Sequence, residues 1–323
     1  MSSSPEFDRL WAAAAACHDR GDAEGAVLAL HRALFLRRED FQAQQLLCRE
    51  LVENPAAFVP EAPVAHRGPA GLISVVICSI DPGKFSRVRA SYARAFGEAA
   101  WELIGIHDAR SLAEGYSRGF AQARGEVIVF SHDDIDILSP DLGGTVANAL
   151  ASVDIVGIVG ATKLVGPAHA WGGRAYTRGR IAEPAKNRVG VDLVVFNPAP
   201  GVTAGLQALD GVFMAATREA VAATGFDAAT FDGFHLYDID FAFRAHLAGR
   251  RIGITSEIVL RHDSAGGFDA RWDEYARRFL AKFPQVQGER AQNFMTRIPF
   301  ADPSSLVAFC ARLDEAGRRA LAT

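Results

Sequence analysis

The chain has 323 residues, of which 49% are hydrophobic and 22% are charged, a composition typical of a globular protein with one large domain and a smaller unit. Its net charge of −4 excludes the broad basic surface that binds polynucleotides, so we expect no nucleic-acid partner. The sequence contains no apolar run of about 18 residues and no N-terminal signal pattern, which predicts a protein without a transmembrane segment.

The cysteines indicate a reducing compartment. None of the four belongs to a CxxC pair or to a spacing typical of a disulfide framework. They are Cys17, Cys48, Cys78 and Cys310. We therefore expect a cytoplasmic protein, and peripheral contact with a membrane is compatible with this expectation.

The chain divides at residues 54–71, a segment rich in proline, alanine and glycine that is typical of a semi-rigid linker. Residues 1–53 before it have helical patterns, which Gly21 and Asp22 interrupt. Residues 72–323 after it begin by alternating short apolar runs with helical patterns. We therefore predict a small all-α segment, a linker and a larger α/β domain with helices at its C-terminus.

Small residues in the all-α segment suggest that two of its helices pack closely. Ala26 and Ala33 recur at helical spacing. The stretch from Phe7 to Asp40 resembles a single tetratricopeptide repeat, although Arg38 stands where that family usually has proline. One repeat cannot bury its own apolar face. The segment is therefore either a helical hairpin packed on the larger domain or a unit that binds a protein partner.

The larger domain opens with the alternation of strand and helix that is the signature of a parallel α/β sheet. The predicted elements are the strand Leu72–Cys78, the helix Phe85–Phe96, the strand Trp101–Asp108, the helix Leu112–Ala123 and the strand Val127–Phe130. Ligands of such sheets bind beyond the carboxyl ends of the strands. We therefore expect Ser79, Asp108 and His132 to lie along one crevice.

The third of these strands runs directly into an acidic cluster, which contains His132, Asp133, Asp134 and Asp136. Crowded carboxylates repel one another unless a cation shares them. Carboxylates with one imidazole suit Mn²⁺ or Mg²⁺, ions that commonly bridge the phosphates of a bound nucleotide. The alternative is a purely structural cluster, because the same residue types also cap helices and form turns.

The order of these elements resembles an inverting glycosyltransferase of the GT-A fold, of the large family-2 type. Ser79 and Asp81 follow the first strand where that family usually has Thr and Asn, and Asp108 matches its base- or ribose-binding Asp. Ser117 stands at the usual Asn of the next helix. The resemblance implies a Rossmann-like mixed sheet, mainly parallel and flanked by helices, with these four residues near a UDP- or GDP-linked sugar.

The family's metal-binding DxD motif aligns with the acidic cluster in two possible registers. Aligned by the strand, His132 and Asp134 take the places of its two acids; in the other register Asp134 and Asp136 do so. Imidazole and carboxylate both bind Mn²⁺, so both registers are chemically sensible. Asp133 is then expected beside the nucleotide sugar.

A second acidic cluster resembles the end of the family's catalytic motif. Asp210 and Gly211 match positions near the donor and acceptor, Tyr237 stands where the family often has Glu, and Asp238 and Asp240 match its two following acids. A base must take the proton of the acceptor hydroxyl, and the resemblance implies Asp238 for this role. The alternatives are Asp240 as the base and helix capping by either acid.

Two further features have functional and structural interpretations. His262 ends the predicted strand Ile252–His262, and the resemblance implies that it completes the metal site. Residues 161–207 have poor periodicity and predict a solvated loop or a variable acceptor-binding region, in which Trp171 would stack on a sugar. Basic residues of this region would meet an anionic acceptor. They are Arg174, Arg178, Arg180, Lys186 and Arg188.

The resemblance, from about Leu72 to Pro284, implies a hexosyltransferase-like enzyme that uses Mn²⁺ or Mg²⁺ and a nucleoside-diphosphate sugar, with a glycan, lipid-linked or protein acceptor. One rival is an inactive transferase-like scaffold, which Ser117 and His132 keep open because they depart from the family pattern. A second rival is a sugar-nucleotide nucleotidyltransferase. Such enzymes require a glycine-rich loop with arginine or lysine directly after the first strand, and the residues that follow this strand here match such a loop poorly.

Overall fold

The computed structural model describes residues 4–58, 71–264, 269–292 and 295–322. Its helices are α1 (Pro5–Asp19), α2 (Ala23–Leu36), α3 (Phe41–Glu53), α4 (Pro82–Phe96), α5 (Leu112–Gln122), α6 (Leu142–Leu150), α7 (Arg218–Thr224), α8 (Tyr237–Leu247), α9 (Ala270–Lys282) and α10 (Pro303–Ala322), with a 3₁₀ turn at Pro284–Val286. None of the helices in these ranges combines the length and the hydrophobicity that crossing a bilayer requires.

The strands form two sheets. They are β1 (Ile73–Cys78), β2 (Trp101–Ile106), β3 (Val127–Ser131), β4 (Ile135–Ile137), β5 (Ile155–Gly157), β6 (Val159–Ala161), β7 (Thr177–Pro184), β8 (Val191–Asn197), β9 (Val202–Ala204), β10 (Ala208–Leu209), β11 (Phe213–Thr217), β12 (Ile252–Thr255), β13 (Leu260–His262) and β14 (Thr296–Phe300). The first sheet has the order β2-β1-β3-β11-β5-β12-β9. The second contains β10, β6, β7, β13 and β4, together with β8 and β14.

The first sheet confirms the predicted α/β class. Strand β1 pairs in parallel with β2 and β3, whereas β11 is antiparallel to both of its neighbours, so the sheet is mixed. Val76 of β1 faces a core shared with α5 and α8, while Val75 and Ile77 face a core shared with α4 and α6. Because helices cover both faces, the strand is apolar throughout. A Cβ at Gly119 of α5 would lie 2.1 Å from Val76 Cγ1, so glycine here permits the close approach of helix and strand.

The predicted strand Ile252–His262 is two strands that belong to different sheets. β12 pairs with β5 in the first sheet, and β13 pairs with β4 in the second. Between them Ser256 accepts a hydrogen bond from Gly201 N through its side chain at 2.8 Å, which interrupts the ladder. The crossing matters for the site because the β4–β13 pairing places His262 opposite Ile135, next to the acidic cluster.

The region 161–207, for which the sequence leaves open a solvated loop or a variable acceptor-binding region, is not a solvated loop, because it contains β7 and β8 of the second sheet. All seven residues of β8 are buried. Three of the arginines expected near an acceptor are buried as well: Arg174, Arg178 and Arg180 are 7%, 7% and 5% exposed. Arg180 forms an ion pair with Asp314 of α10 at 2.6 Å. These arginines therefore stabilise the packing of the second sheet and are not available to an anionic acceptor.

The N-terminal segment is helical, as predicted, and it packs on the second sheet. Leu30 of α2 and Leu47 of α3 share one apolar core with Leu193 of β8 and Phe309 of α10. Gln44 of α3 donates hydrogen bonds to Val195 O at 2.9 Å and to Thr296 Oγ1 at 3.0 Å. The likeness to a tetratricopeptide repeat stays a prediction. So do the domain boundaries, because residues 59–70 of the predicted linker lie outside the described residues.

Candidate metal and transfer site

Two neighbouring cavities open beyond the carboxyl ends of β1 and β3. One has a volume of about 430 Å³ and extends towards the start of α8 and the second sheet. The other, of about 300 Å³, lies against the ends of β1 and β2. His132 and Phe234 line both cavities, so these two residues mark the boundary between them. The position agrees with the place where α/β sheets bind ligands.

At this boundary the structure brings together His132, Asp134 and His262, whose ligand atoms lie within 4.8 Å of one another. Nε2 of His262 is 3.3 Å from His132 Nδ1 and 3.2 Å from Asp134 Oδ1. A six-coordinate ion with ligands at about 2.1 Å separates neighbouring ligand atoms by about 3.0 Å. The three side chains therefore fit a small divalent cation with little movement. Two imidazoles and a carboxylate are also a donor set that transition metals bind.

The electrostatics of Asp134 and His132 favour the forms that bind metal, whereas those of His262 favour an imidazolium that must lose its proton to bind one. Burial alone would raise the pKa of the Asp134 carboxyl, but hydrogen bonding and the charge of His262 hold it well below its usual value. Burial would lower the pKa of His262, yet Asp134 raises it. Burial and His262 lower the pKa of His132. Asp134 is therefore a carboxylate and His132 a neutral imidazole, as ligation requires.

Lys84, in the first turn of α4, supplies a positive charge beside this cluster. Its Nζ lies 3.8 Å from Asp133 Oδ1 and 3.7 Å from Asp134 Oδ2. Asp133 also accepts a hydrogen bond of 2.7 Å from the hydroxyl of Ser79. Ser79, Asp133 and Asp134 all line the smaller cavity, whose other walls include the apolar side chains of Ile80 and Leu112.

Asp238 lies in the larger cavity at the first turn of α8. Its Oδ2 accepts a hydrogen bond from Gly211 N at 2.7 Å, and Asp210 lines the same cavity. Burial and the negative charge of Asp210 raise the pKa of Asp238 to about 7. In the described parts of the chain Asp238 has no ion-pair partner. A carboxyl group with these properties can exchange a proton near neutral pH.

Asp240 has very different surroundings, although it lies only two residues further along the same helix. It is completely buried. Its carboxylate forms ion pairs with Arg244 at 2.8 Å and with Lys282 at 2.5 Å. Asp240 does not line either cavity. The structure thus gives it a partner for each oxygen and no contact with the site.

Four other predicted site residues lie away from the cavities. Asp81 caps α4 by accepting hydrogen bonds from Gly83 N and Lys84 N. Asp108 is exposed and bonded to Arg118, although its neighbour Ala109 lines the smaller cavity. The two remaining residues are Ser117, whose hydroxyl donates to Ala113 O at 2.8 Å, and Asp136, which forms an ion pair with Arg94 at 2.5 Å.

Aromatic side chains line the larger cavity where the sequence did not indicate them. Trp272 of α9 lines it, and Trp171 stacks behind Trp272 with ring centroids 5.8 Å apart. Phe234 is 54% exposed. The sequence also gave no sign of His169, which lies 3.8 Å from Asp210, or of Glu183. These residues come from distant parts of the chain. The signal in the sequence that could have pointed to some of them is the alternation of aromatic and acidic residues before α8 and α9.

Comparisons with known proteins agree with this arrangement at the level of the family. Residues 74–283 match the model of a family described as glycosyltransferase like. No curated protein sequence matches the chain.

Among solved structures, the chain is similar to the mannosyltransferase PcManGT from Pyrobaculum calidifontis in complex with GDP-Man and Mn²⁺, at 14% identity, covering 92% of this chain and 86% of that one, with a TM-score of 0.42. It is similar to GalNAc-T7 with UDP, GalNAc and Mn²⁺, at 12% identity, 74% and 54% coverage and a TM-score of 0.38. It is also similar to residues 1–349 of S. aureus TarS, at 12% identity, 64% and 70% coverage and a TM-score of 0.38.

Proposed function

The chain belongs to the glycosyltransferase-like family, and from this premise we propose that it is a metal-dependent inverting glycosyltransferase, which moves a sugar from a nucleoside diphosphate to an acceptor hydroxyl. One observation carries the proposal. A cluster with the chemistry of a metal site, formed by His132, Asp134 and His262, lies at the boundary between two cavities. A donor can occupy one cavity and an acceptor the other, with the diphosphate at the cluster.

The donor set favours Mn²⁺ over Mg²⁺. Mg²⁺ prefers oxygen ligands, whereas imidazole suits transition metals, and two of the three ligands here are imidazoles. When bound, the metal would neutralise the charge that develops on the leaving diphosphate. The ammonium of Lys84 lies close enough to support the same charge. The apolar walls of the smaller cavity suit the base and ribose of a UDP- or GDP-linked sugar.

Asp238 is the base in this proposal. As the acceptor oxygen attacks the anomeric carbon, its proton passes to the carboxylate of Asp238, and the bond from that carbon to the diphosphate oxygen breaks on the opposite face. A single base and a direct displacement produce inversion. A pKa of about 7 for Asp238 suits proton transfer near neutral pH. Gly211 N holds the carboxylate in place.

The larger cavity is suited to an uncharged sugar as the acceptor. None of the described residues that line it is a lysine or an arginine. Its carboxylates, from Asp210 and Glu183, can accept hydrogen bonds from sugar hydroxyls. Its aromatic rings can pack on the apolar face of a sugar ring. Trp272 presents such a ring to the cavity and Trp171 supports it from behind, so we assign acceptor stacking to Trp272 and a supporting role to Trp171. The sugar can belong to a glycan, a lipid-linked saccharide or a glycoprotein.

The test is the turnover of UDP- and GDP-linked sugars by the full chain with Mn²⁺. We expect release of the nucleoside diphosphate. For a glycoside product or a sugar released to water, we expect inverted anomeric configuration in proton NMR spectra recorded before mutarotation. The Asp238→Asn variant serves as the control and should bind the nucleotide without turnover. Formation of a nucleoside triphosphate and a sugar 1-phosphate when inorganic pyrophosphate is added to the nucleotide sugar would indicate a nucleotidyltransferase instead, and binding without any turnover by the wild type would indicate an inactive scaffold.

A further inference from the structure

Tyr237 connects the metal cluster to the peptide that holds the base. It is the first residue of α8, and it is 4% exposed. Its hydroxyl oxygen lies 2.9 Å from His132 Nε2 and 3.3 Å from Gly211 O. The amide N of the same Gly211 donates to Asp238. Gly211 thus contacts both Tyr237, which is the neighbour of the proposed metal ligand His132, and the proposed base Asp238.

The direction of these hydrogen bonds follows from the groups that form them. A carbonyl oxygen can only accept, so the bond between Tyr237 and Gly211 O uses the single proton of the tyrosine hydroxyl. With its proton directed to Gly211 O, the hydroxyl of Tyr237 can only accept from His132, and this arrangement places the proton of the imidazole on Nε2. The lone pair of His132 Nδ1 is left on the side of His262 and Asp134.

The fit around Gly211 leaves no room for a larger residue. A Cβ at this position would lie 2.2 Å from the hydroxyl oxygen of Tyr237 and 2.8 Å from Cβ of Asp238. Both contacts are shorter than atoms tolerate. Glycine at position 211 is therefore a condition for the hydrogen-bond chain from His132 through Tyr237.

We propose that Tyr237 is a positioning residue that, by donating to Gly211 O, fixes His132 in the tautomer that presents Nδ1 to the metal. The proposal rests on the proposed function, because it assumes that a metal binds at His132, Asp134 and His262. A ligating histidine generally hydrogen-bonds through its second nitrogen, and loss of that partner typically weakens metal binding about 10- to 100-fold. Tyr237 thereby takes a role at the metal, at a position where the family that the sequence resembles often has Glu.

The first measurement is the tautomer of His132 in the metal-free wild-type protein, from ¹⁵N NMR of histidine-labelled chain, with the signal assigned by its loss in His132→Gln. We expect a protonated Nε2 and an unprotonated Nδ1. This measurement requires no variant of Tyr237 to fold. An unprotonated Nε2 at slightly alkaline pH overturns the proposal.

The second measurement is calorimetric Mn²⁺ binding by the Tyr237→Phe and Tyr92→Phe variants. Tyr92 is the matched control because it is also buried and its hydroxyl lies 2.8 Å from Ser131 Oγ, one residue before His132. We expect Kd for Mn²⁺ to rise about 10- to 100-fold in Tyr237→Phe only, together with loss of the single His132 tautomer.

Equal Mn²⁺ affinity in Tyr237→Phe and the wild type contradicts the positioning role. Failure of the wild type itself to bind Mn²⁺ overturns the proposed metal site, and with it the role assigned to Tyr237. Failure of the positioning role of Tyr237 and failure of the proposed metal site are distinguishable, because the tautomer of His132 is measured without metal.

Discussion

Charged side chains are removed from water in two regions of the molecule. One is the pair of cavities, and the other is the interface between the second sheet and the helices α2, α3 and α10. The buried charges have different partners in the two regions. At the interface, Arg180 has the carboxylate of Asp314 as a full ion-pair partner. In the larger cavity, Asp238 has a backbone N–H and a like charge nearby. A buried charge with a complete partner stabilises packing and has no capacity left for chemistry. A buried carboxyl without one keeps its capacity to take a proton.

The same contrast occurs within the first turn of α8. Asp238 faces the cavity, whereas Asp240 is fully buried between Arg244 and Lys282. The resemblance implies Asp238 as the base but leaves Asp240 as an alternative, because both acids match the same motif. Their partners in the structure do distinguish them.

The largest expected effect is on catalysis. Asp238→Asn should lower the transfer rate about 10²- to 10⁴-fold, because the acceptor loses its base, while binding of Mn²⁺ and nucleotide stays unchanged. Asp240→Asn is the matched control and should mainly destabilise the fold, since it removes a partner of Arg244 and Lys282. Steady-state kinetics and thermal unfolding of both variants measure the two effects. A catalytic loss confined to folded Asp240→Asn would reverse the assignment.

The next effect tests the interface. Arg180→Met should destabilise the protein by about 3–5 kcal/mol, because it leaves Asp314 buried without its partner. The double variant Arg180→Met with Asp314→Leu should recover much of the loss. Denaturant unfolding gives the free energies, and Mn²⁺ titration should show unchanged affinity. A marked loss of metal affinity in the folded variant would mean that the interface and the site are not separate in function.

A third expectation concerns stability against pH. The folded-state pKa of Asp238 is raised to about 7, so the stability that its protonated form contributes is present below the unfolded-state pKa and is lost as the pH rises through about 7. Asp238→Asn has no such loss. We expect the variant to gain stability over the wild type between pH 4 and pH 8, on the order of 1–3 kcal/mol. A constant difference across this range would show that Asp238 is not held in a raised-pKa environment.

The smallest expected effect is on the pH dependence of turnover. A base must be deprotonated, so kcat/KM should rise with pH through the pKa of Asp238. Because Asp210 contributes to raising that pKa, Asp210→Asn should move the acid limb of the profile to lower pH, by about one unit or less. A shift to higher pH, or an acid limb that does not move, would contradict this coupling.

Much of the first sheet could be predicted from the sequence, because strands buried on both faces are apolar throughout and the helices between them have clear periodicity. The second sheet could not. β7 carries arginines at buried positions whose partners lie far away in the chain, such as Asp314, so its pattern resembles that of a solvated loop. The change of sheet between β12 and β13 likewise appears only in their long-range pairings, with β5 and with β4.

The site shows the same limit. The sequence predicted that polar residues would follow the strands, and it singled out His132, Asp134 and His262, which the structure brings together. The sequence left the register of the metal motif open. Only the geometry separates Asp136 from the cluster of His132, Asp134 and His262, because the carboxylate of Asp136 is bonded to Arg94. Residues such as Trp272 and His169 reach the cavity through long-range packing, which no local pattern encodes.

We propose above all that a metal at the cavity boundary holds a nucleoside diphosphate. The most direct test is calorimetric titration of UDP and of GDP, each with and without Mn²⁺, into the wild type, Asp134→Ala and the matched control Asp136→Ala. We expect that at least one nucleotide binds only with Mn²⁺, that Asp134→Ala weakens this binding at least about 100-fold, and that Asp136→Ala does not. Binding of neither nucleotide, or binding that ignores both Mn²⁺ and Asp134, would contradict it.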